Sequence, residues 1–216
     1  MDIAKNIESI KAEFTSDVTL VAVSKTKPIQ DLMEAYEAGQ RIFGENKIQE
    51  MTNKWEALPK DIEWHMVGHV QTNKVKYMAP YVKMIHAVHK MKLLKEINKQ
   101  AKKENRVIDC LLQMKIAEED SKYGMTKEEI IEFLADEQLK NYTNVKLRGL
   151  MGMATFTDDK EQIKREFTLL KNLYEQLKSS HNFDVLSMGM TGDYKIAIEQ
   201  GSSMIRIGSK IFGARD

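Results

Sequence analysis

A short apolar run followed by a helix-spaced apolar stripe recurs eight times along this chain, and that alternation constrains the fold more than any other feature. The runs fall at Leu20–Ser24, Arg41–Gly44, Trp64–Val67, Met84–Ala87, Ile108–Lys115, Val145–Met151, Val185–Ser187 and Met204–Ile207. Near-continuous β-branched and apolar runs are what strands buried on both faces require. Between them, sets such as Ile29, Leu32, Met33 and Tyr36, or Ile163, Phe167, Leu170, Tyr174 and Leu177, repeat every three or four residues. That spacing gathers each set onto one helix face. Ile3, Ile7, Ile10 and Phe14 put one extra amphipathic helix in front. Strands that alternate with helices pair in parallel. Eight such units close most naturally into a single α/β domain over residues 1–216, a (β/α)8 TIM barrel, with a doubly wound open sheet as the alternative.

Composition narrows the partners. The formal net charge of +1 gives no reason to expect nucleic acid or an anionic membrane. No apolar run approaches the roughly 18 residues that a membrane helix needs. The polar opening Met1-Asp-Ile-Ala-Lys-Asn-Ile7 does not read as a secretory signal. One cysteine, Cys110, excludes an internal disulfide and suits a reducing, cytoplasmic setting. Its apolar neighbours make it a buried small hydrophobe. Lys90–Lys103 carries six lysines opposite Met91, Leu94, Ile97 and Ala101, the pattern of a solvated helix face.

A barrel also says where chemistry should be. Loops after strand C-termini share one mouth, and Lys25, Asn46, Ser187 and Ser209 all follow strand ends. Lys25 ends the run Val21-Ala-Val-Ser24. A lysine held there by rigid neighbours can have a lowered pKa and attack a carbonyl, forming a Schiff base; a surface lysine is the plain alternative. After strands seven and eight come Ser187-Met-Gly-Met190 and Gly208-Ser-Lys-Ile211. Glycine admits a close phosphate oxygen, serine adds a hydroxyl, and a helix start favours an anion. Lysine and phosphate cradle together suggest pyridoxal phosphate.

Arg206 lies in the apolar run Met204-Ile-Arg-Ile207, either outward and paired or inward and functional. His65, in Trp64-His-Met-Val67, reads as a satisfied core histidine. His65 and His69 are four apart but on a strand and turn, which does not give the helical zinc-ligand geometry, so no metal site is expected.

The segments VAVSKTKP, IFGENKIQE, EWHMVGHVQTNK, EEDSKYGM, GLMGM, LSMGMTGDYKIAI and GSSMIRIGSKIFGAR span nearly the whole chain in order. In them the sequence closely resembles the YggS-type pyridoxal phosphate homeostasis proteins, also called proline synthase co-transcribed homologues. The resemblance implies a single barrel like that of alanine racemase. It implies that Lys25 carries pyridoxal 5'-phosphate as an aldimine, and that Ser187, Gly208 and Ser209 bind the phosphate. It implies that Arg206 faces the pyridine nitrogen, that Asn46 lies beside the cofactor, and that His65 and Met188 line the pocket. Two places depart from the family pattern. His69-Val70 stands where an apolar or proline pair is usual, and Thr191-Gly192-Asp193 where a serine and acidic residues are usual.

Related racemases carry a second, β-rich domain that supplies acid and base groups. None is expected here after Asp216, and an arginine against the ring nitrogen weakens the electron sink. The expected function is therefore non-catalytic: a cytoplasmic, monomeric protein of pyridoxal phosphate homeostasis, with pyridoxal phosphate-dependent apoenzymes as recipients. A low-activity amino-acid racemase is the alternative.

Overall fold

Eight parallel strands pair in chain order, and the eighth returns to the first. They are β1 Thr19–Val23, β2 Ile42–Glu45, β3 Glu63–Met66, β4 Val82–Val88, β5 Ile108–Gln113, β6 Val145–Met151, β7 Val185–Ser187 and β8 Met204–Ile207. The structure, a computed structural model, describes residues 2–119 and 123–214. Asp120, Ser121 and Lys122 of the EEDSKYGM loop, and Arg215 of the last matching segment, lie outside the described residues. The register Thr19↔Met204, Leu20↔Ile205, Val21↔Arg206 and Ala22↔Ile207 closes the barrel and excludes the open sheet.

The helices are α1 Ile3–Lys11, α2 Ile29–Glu37, α3 Ile48–Ala57, α4 Val75–Met78, α5 Met91–Lys103, α6 Lys127–Ala135, α7 Lys160–His181, α8 Tyr194–Glu199 and α9 Ser209–Phe212. Local chemistry sets several boundaries. Thr126 and Glu129 form a reciprocal capping box at the start of α6, as their spacing predicts. Asp159 accepts from the Glu161 and Gln162 N–H groups at the start of α7, and Asn182 ends that helix in the left-handed conformation. On α5 the lysines flank a buried stripe of Leu93, Leu94, Ile97 and Ala101. Strand boundaries differ by a residue or two from the sequence reading. β5 stops at Gln113, and Met114 then bridges to Met125.

Strand alternation sorts side chains into two layers. Val21, Met84, Leu111, Met151, Val185 and Met204 fill the barrel. Leu20, Ala22, Leu186, Ile205 and Ile207 face the helices. Each of the Val, Leu, Ile and Met side chains, fully buried, contributes about 1.5–3 kcal/mol. Cys110 is wholly buried in the outer layer, and burial pushes its thiol pKa up. Among the described residues no helix is long and apolar enough to cross a membrane.

Candidate functional site

Lys25 is half-buried two residues beyond the end of β1, on the strand face that Val21 and Val23 share. Its backbone neighbourhood is fixed on both sides. Ser24 is fully buried, and its Oγ donates to Glu45 Oε1 at 2.7 Å. Thr26 has a φ of 67°, left-handed backbone that a β-branched residue adopts only under constraint. The constraint is visible: its N–H donates to Glu50 Oε1 at 2.6 Å.

One buried cation ties this corner together. Lys54 of α3, 5% exposed, donates to Ser24 O at 2.8 Å and to Glu45 Oε1 and Glu50 Oε1 at 2.7 Å each. Burial raises the pKa of Glu45; Lys54 and Ser24 oppose that shift. Three elements, β1, β2 and α3, are thus joined by charge beneath the lysine that the sequence singled out.

Next to Glu45 comes Asn46. Among the described residues its Oδ1 is buried without a hydrogen-bond partner. Gly68 packs on it so closely that a Cβ at 68 would lie 2.5 Å from Asn46 O. A buried acceptor without a donor costs about 1–3 kcal/mol, so water or a bound group has to supply the partner.

The second polar group lies inside the barrel. Arg206 on β8 is 4% exposed; its Nη1 donates to Ser187 Oγ at 2.6 Å and its Nη2 to Gly152 O at 3.1 Å. Ser187 Oγ is also 3.1 Å from His86 Nδ1, and His86 Nε2 is 3.0 Å from His65 Nδ1. Burial lowers the Arg206 pKa to about 10, so it stays a cation at neutral pH. Burial, then the charges of His65 and Arg206, hold His86 well below its ordinary value. Burial, then Lys83, lowers His65 to about 3. Both rings are neutral at working pH.

The third part is the turn into α9. Gly208 packs on the end of β1, where a Cβ would lie 3.1 Å from Val23 O. Its N–H donates to Thr191 Oγ1 at 3.4 Å. Ser209 is exposed and opens α9; the Ile211 and Phe212 N–H groups donate back to Gly208 O at 2.9 Å each, which leaves those of Ser209 and Lys210 without an intrahelical acceptor. Asp193 Oδ1 accepts from the Met190 N–H at 2.5 Å and stiffens the turn after β7.

The structure therefore brings Lys25, Gly208 and Ser209 to the ends of the neighbouring strands β1 and β8, with Asn46 one strand further on. It places three expected residues elsewhere. The Ser187 hydroxyl is inside the barrel, bonded to Arg206. Met188, one residue on, falls on the opposite strand face and packs in the layer under the helices. His65 lies within the barrel, two hydrogen bonds from Ser187, and lines a cavity of about 250 Å³ at the opposite end of the strands. Sequence reasoning noted Thr191 only as a departure from the family pattern and gave no role to His86 or Lys54. The signal for His86 was available: it is a polar residue within an apolar strand, as are His65 and Arg206.

The residues fit pyridoxal phosphate in kind: an amine for its aldehyde, a fixed cation for its ring nitrogen, and N–H groups at a glycine turn for its phosphate. A model of the family described as alanine racemase, N-terminal domain, matches residues 2–216. The pyridoxal phosphate homeostasis protein of Pasteurella multocida is 40% identical over 207 residues, covering 93% of this chain and 88% of that protein. The Escherichia coli protein of the same description is 33% identical over 233 residues, covering 100% and 97%. Among solved structures, PipY of Synechococcus elongatus with pyridoxal phosphate bound superposes with a TM-score of 0.88 at 30% identity, covering 98% of this chain and 100% of that one. Alanine racemase of Clostridium difficile shares the fold at 10% identity, with a TM-score of 0.80; the match covers 99% of this chain and 57% of that one.

Proposed function

The chain belongs to the alanine racemase N-terminal domain family, and from that premise we propose that it binds pyridoxal phosphate and serves in its homeostasis. The observation that carries this reading is the meeting of Lys25 and the Gly208–Ser209 turn on adjacent strands, in a fold 30% identical to a relative solved with that cofactor. Lys25 would attach the cofactor covalently. Arg206 would face the ring nitrogen, Asn46 the ring edge, and Gly208, Ser209 and Thr191 the phosphate. When bound, the cofactor supplies an aldehyde that condenses with amines and a ring that can accept electrons.

The reading is of a holder, not a catalyst. A buried guanidinium at the ring nitrogen opposes ring protonation, and so opposes carbanion chemistry. Delivery to apoenzymes, a cytoplasmic setting and a monomeric state complete the proposal.

Purified protein loaded with pyridoxal phosphate should be yellow. Borohydride should fix one phosphopyridoxyl group on the peptide that contains Lys25. Lys25→Ala should lose both label and colour while keeping its circular dichroism, because the side chain lies past the strand end. A label on another lysine would sink the assignment. Deuterium exchange at the α-carbon of added alanine should run no faster than with free cofactor.

A further inference from the structure

Four polar side chains run through the apolar interior of the barrel from β8 to β3: Arg206, Ser187, His86 and His65. The His86–Ser187 bond joins β4 to β7, strands on opposite sides of the closed sheet. Elementary donor counting gives this chain a direction. Arginine has five N–H donors and accepts nothing. It therefore occupies Ser187 Oγ as an acceptor, and the serine must pass its own hydrogen elsewhere. His86 Nδ1, at 3.1 Å, is the acceptor that the described residues provide for it. Nδ1 is then bare, and the hydrogen of the neutral ring is on Nε2. That hydrogen is donated to His65 Nδ1 at 3.0 Å. His65 in turn carries its hydrogen on Nε2. Every donation runs away from Arg206.

We infer that His86, backed by His65, is a positioning residue that aims the Arg206 guanidinium at the cofactor's ring nitrogen by fixing which way the Ser187 hydroxyl points. This rests on the cofactor reading above. The reason is mechanical as well as electrostatic. Ser187 can accept from Arg206 in one geometry only while its hydrogen has a destination. Without the imidazole the hydroxyl is free to rotate, and Arg206 keeps only Gly152 O as a fixed acceptor. The directionality also keeps positive charge at one end of the thread, since neither ring presents a second N–H toward Ser187.

The first measurement needs no cofactor. Long-range nitrogen–proton correlation spectra of the wild-type protein should show both His86 and His65 protonated on Nε2. A hydrogen on His86 Nδ1 would overturn the inference. The second measurement compares two ligands: pyridoxal phosphate, and its analogue with a ring C–H in place of the nitrogen. His86→Phe should weaken pyridoxal phosphate about tenfold, the value of one lost neutral hydrogen bond. It should leave the analogue within about twofold. His86→Gln, whose amide can accept from Ser187 and donate to His65, should restore pyridoxal phosphate binding to near wild type. Equal losses for both ligands would mean a packing role and would also overturn the inference. If His86→Phe does not fold, the wild-type spectra decide. If wild type binds neither ligand, the cofactor reading falls by itself, and the ring assignment is still decided by the spectra.

Discussion

Lys54, beneath the Lys25 end of β1, meets two carboxylates; Arg206, on the neighbouring strand β8, makes no ion pair among the described residues. Both cations are almost completely buried. The first is compensated by charge and holds a backbone in place: Ser24, Thr26 and the turn that presents Lys25. The second donates to neutral acceptors, Ser187 Oγ and Gly152 O, and the Asp193 charge also acts on it, so less of its field is cancelled. One corner is built for position and the other for potential. A cation that must act on something else cannot also be neutralised by a neighbour.

The contrast predicts unequal responses. The largest should come from Lys54→Met. It leaves Glu45 buried without its counter-charge, and breaking a buried pair from one side costs about 3–5 kcal/mol. Urea unfolding at neutral pH measures this. Adding Glu45→Gln should recover part of the loss, which would show that the stranded charge is the cause. A Lys54→Met variant as stable as wild type would erase the distinction between the two corners.

Acid should act through the other corner first. His65 and His86 are neutral when folded, with pKa values below the ordinary 6.5. In the unfolded chain they take up protons as pH falls through about 6.5. The unfolded state then binds more protons, so stability falls with acid, and for His65 this continues down to about pH 3. Two such groups approach about 2.7 kcal/mol per pH unit. His89, lowered by its partial burial, adds in the same direction. Carboxylates held below their ordinary range, such as Glu166 and Asp184, start from 4.5 and 3.8 and act at lower pH. Denaturation between pH 6.5 and 5 should therefore show the histidine slope, and His65→Leu with His86→Gln should flatten it.

The smallest test pairs two serines. Ser187→Ala strands a buried N–H of Arg206 and Nδ1 of His86, at a cost of about 2–3 kcal/mol. Ser24→Ala removes one donor from a carboxylate that keeps Lys54, and should cost about 1–2 kcal/mol. Thermal melts of the two variants should fall in that order.

The barrel was legible because eight apolar runs and eight helical stripes alternate without interruption. Closure was legible too, since eight such units close most naturally on themselves; the pairing across the seam, Thr19 with Met204, was not, because it links residues at opposite ends of the sequence. Lys25 and Gly208–Ser209 could be nominated because strand ends and glycine turns are local signals, and the structure brings them to the ends of neighbouring strands. The hydrogen bond of Ser187 was not legible: its partner, Arg206, is nineteen residues away on the neighbouring strand. Met188 shows how little separates the two layers, since a shift of one residue exchanges one strand face for the other. Lys54 reads as an ordinary surface lysine on an amphipathic helix, and only α3's placement against β1 and β2 makes it an anchor.

The pairing of β1 with β8 has a consequence for the order of assembly. Thr19 N–H bonds to Ser203 O, Asn6 Nδ2 to Ile211 O, and Lys210 Nζ to Glu13 Oε1, so the first helix and strand are completed by the last. Seven strands can add one after another through local connections as a chain leaves the ribosome. The seam that adjoins Lys25 forms only by closing a loop of nearly the whole sequence, the slowest kind of contact to make. A nascent chain thus displays Lys25 well before it owns the Gly208–Ser209 turn. Selective capture has to wait for the final strand.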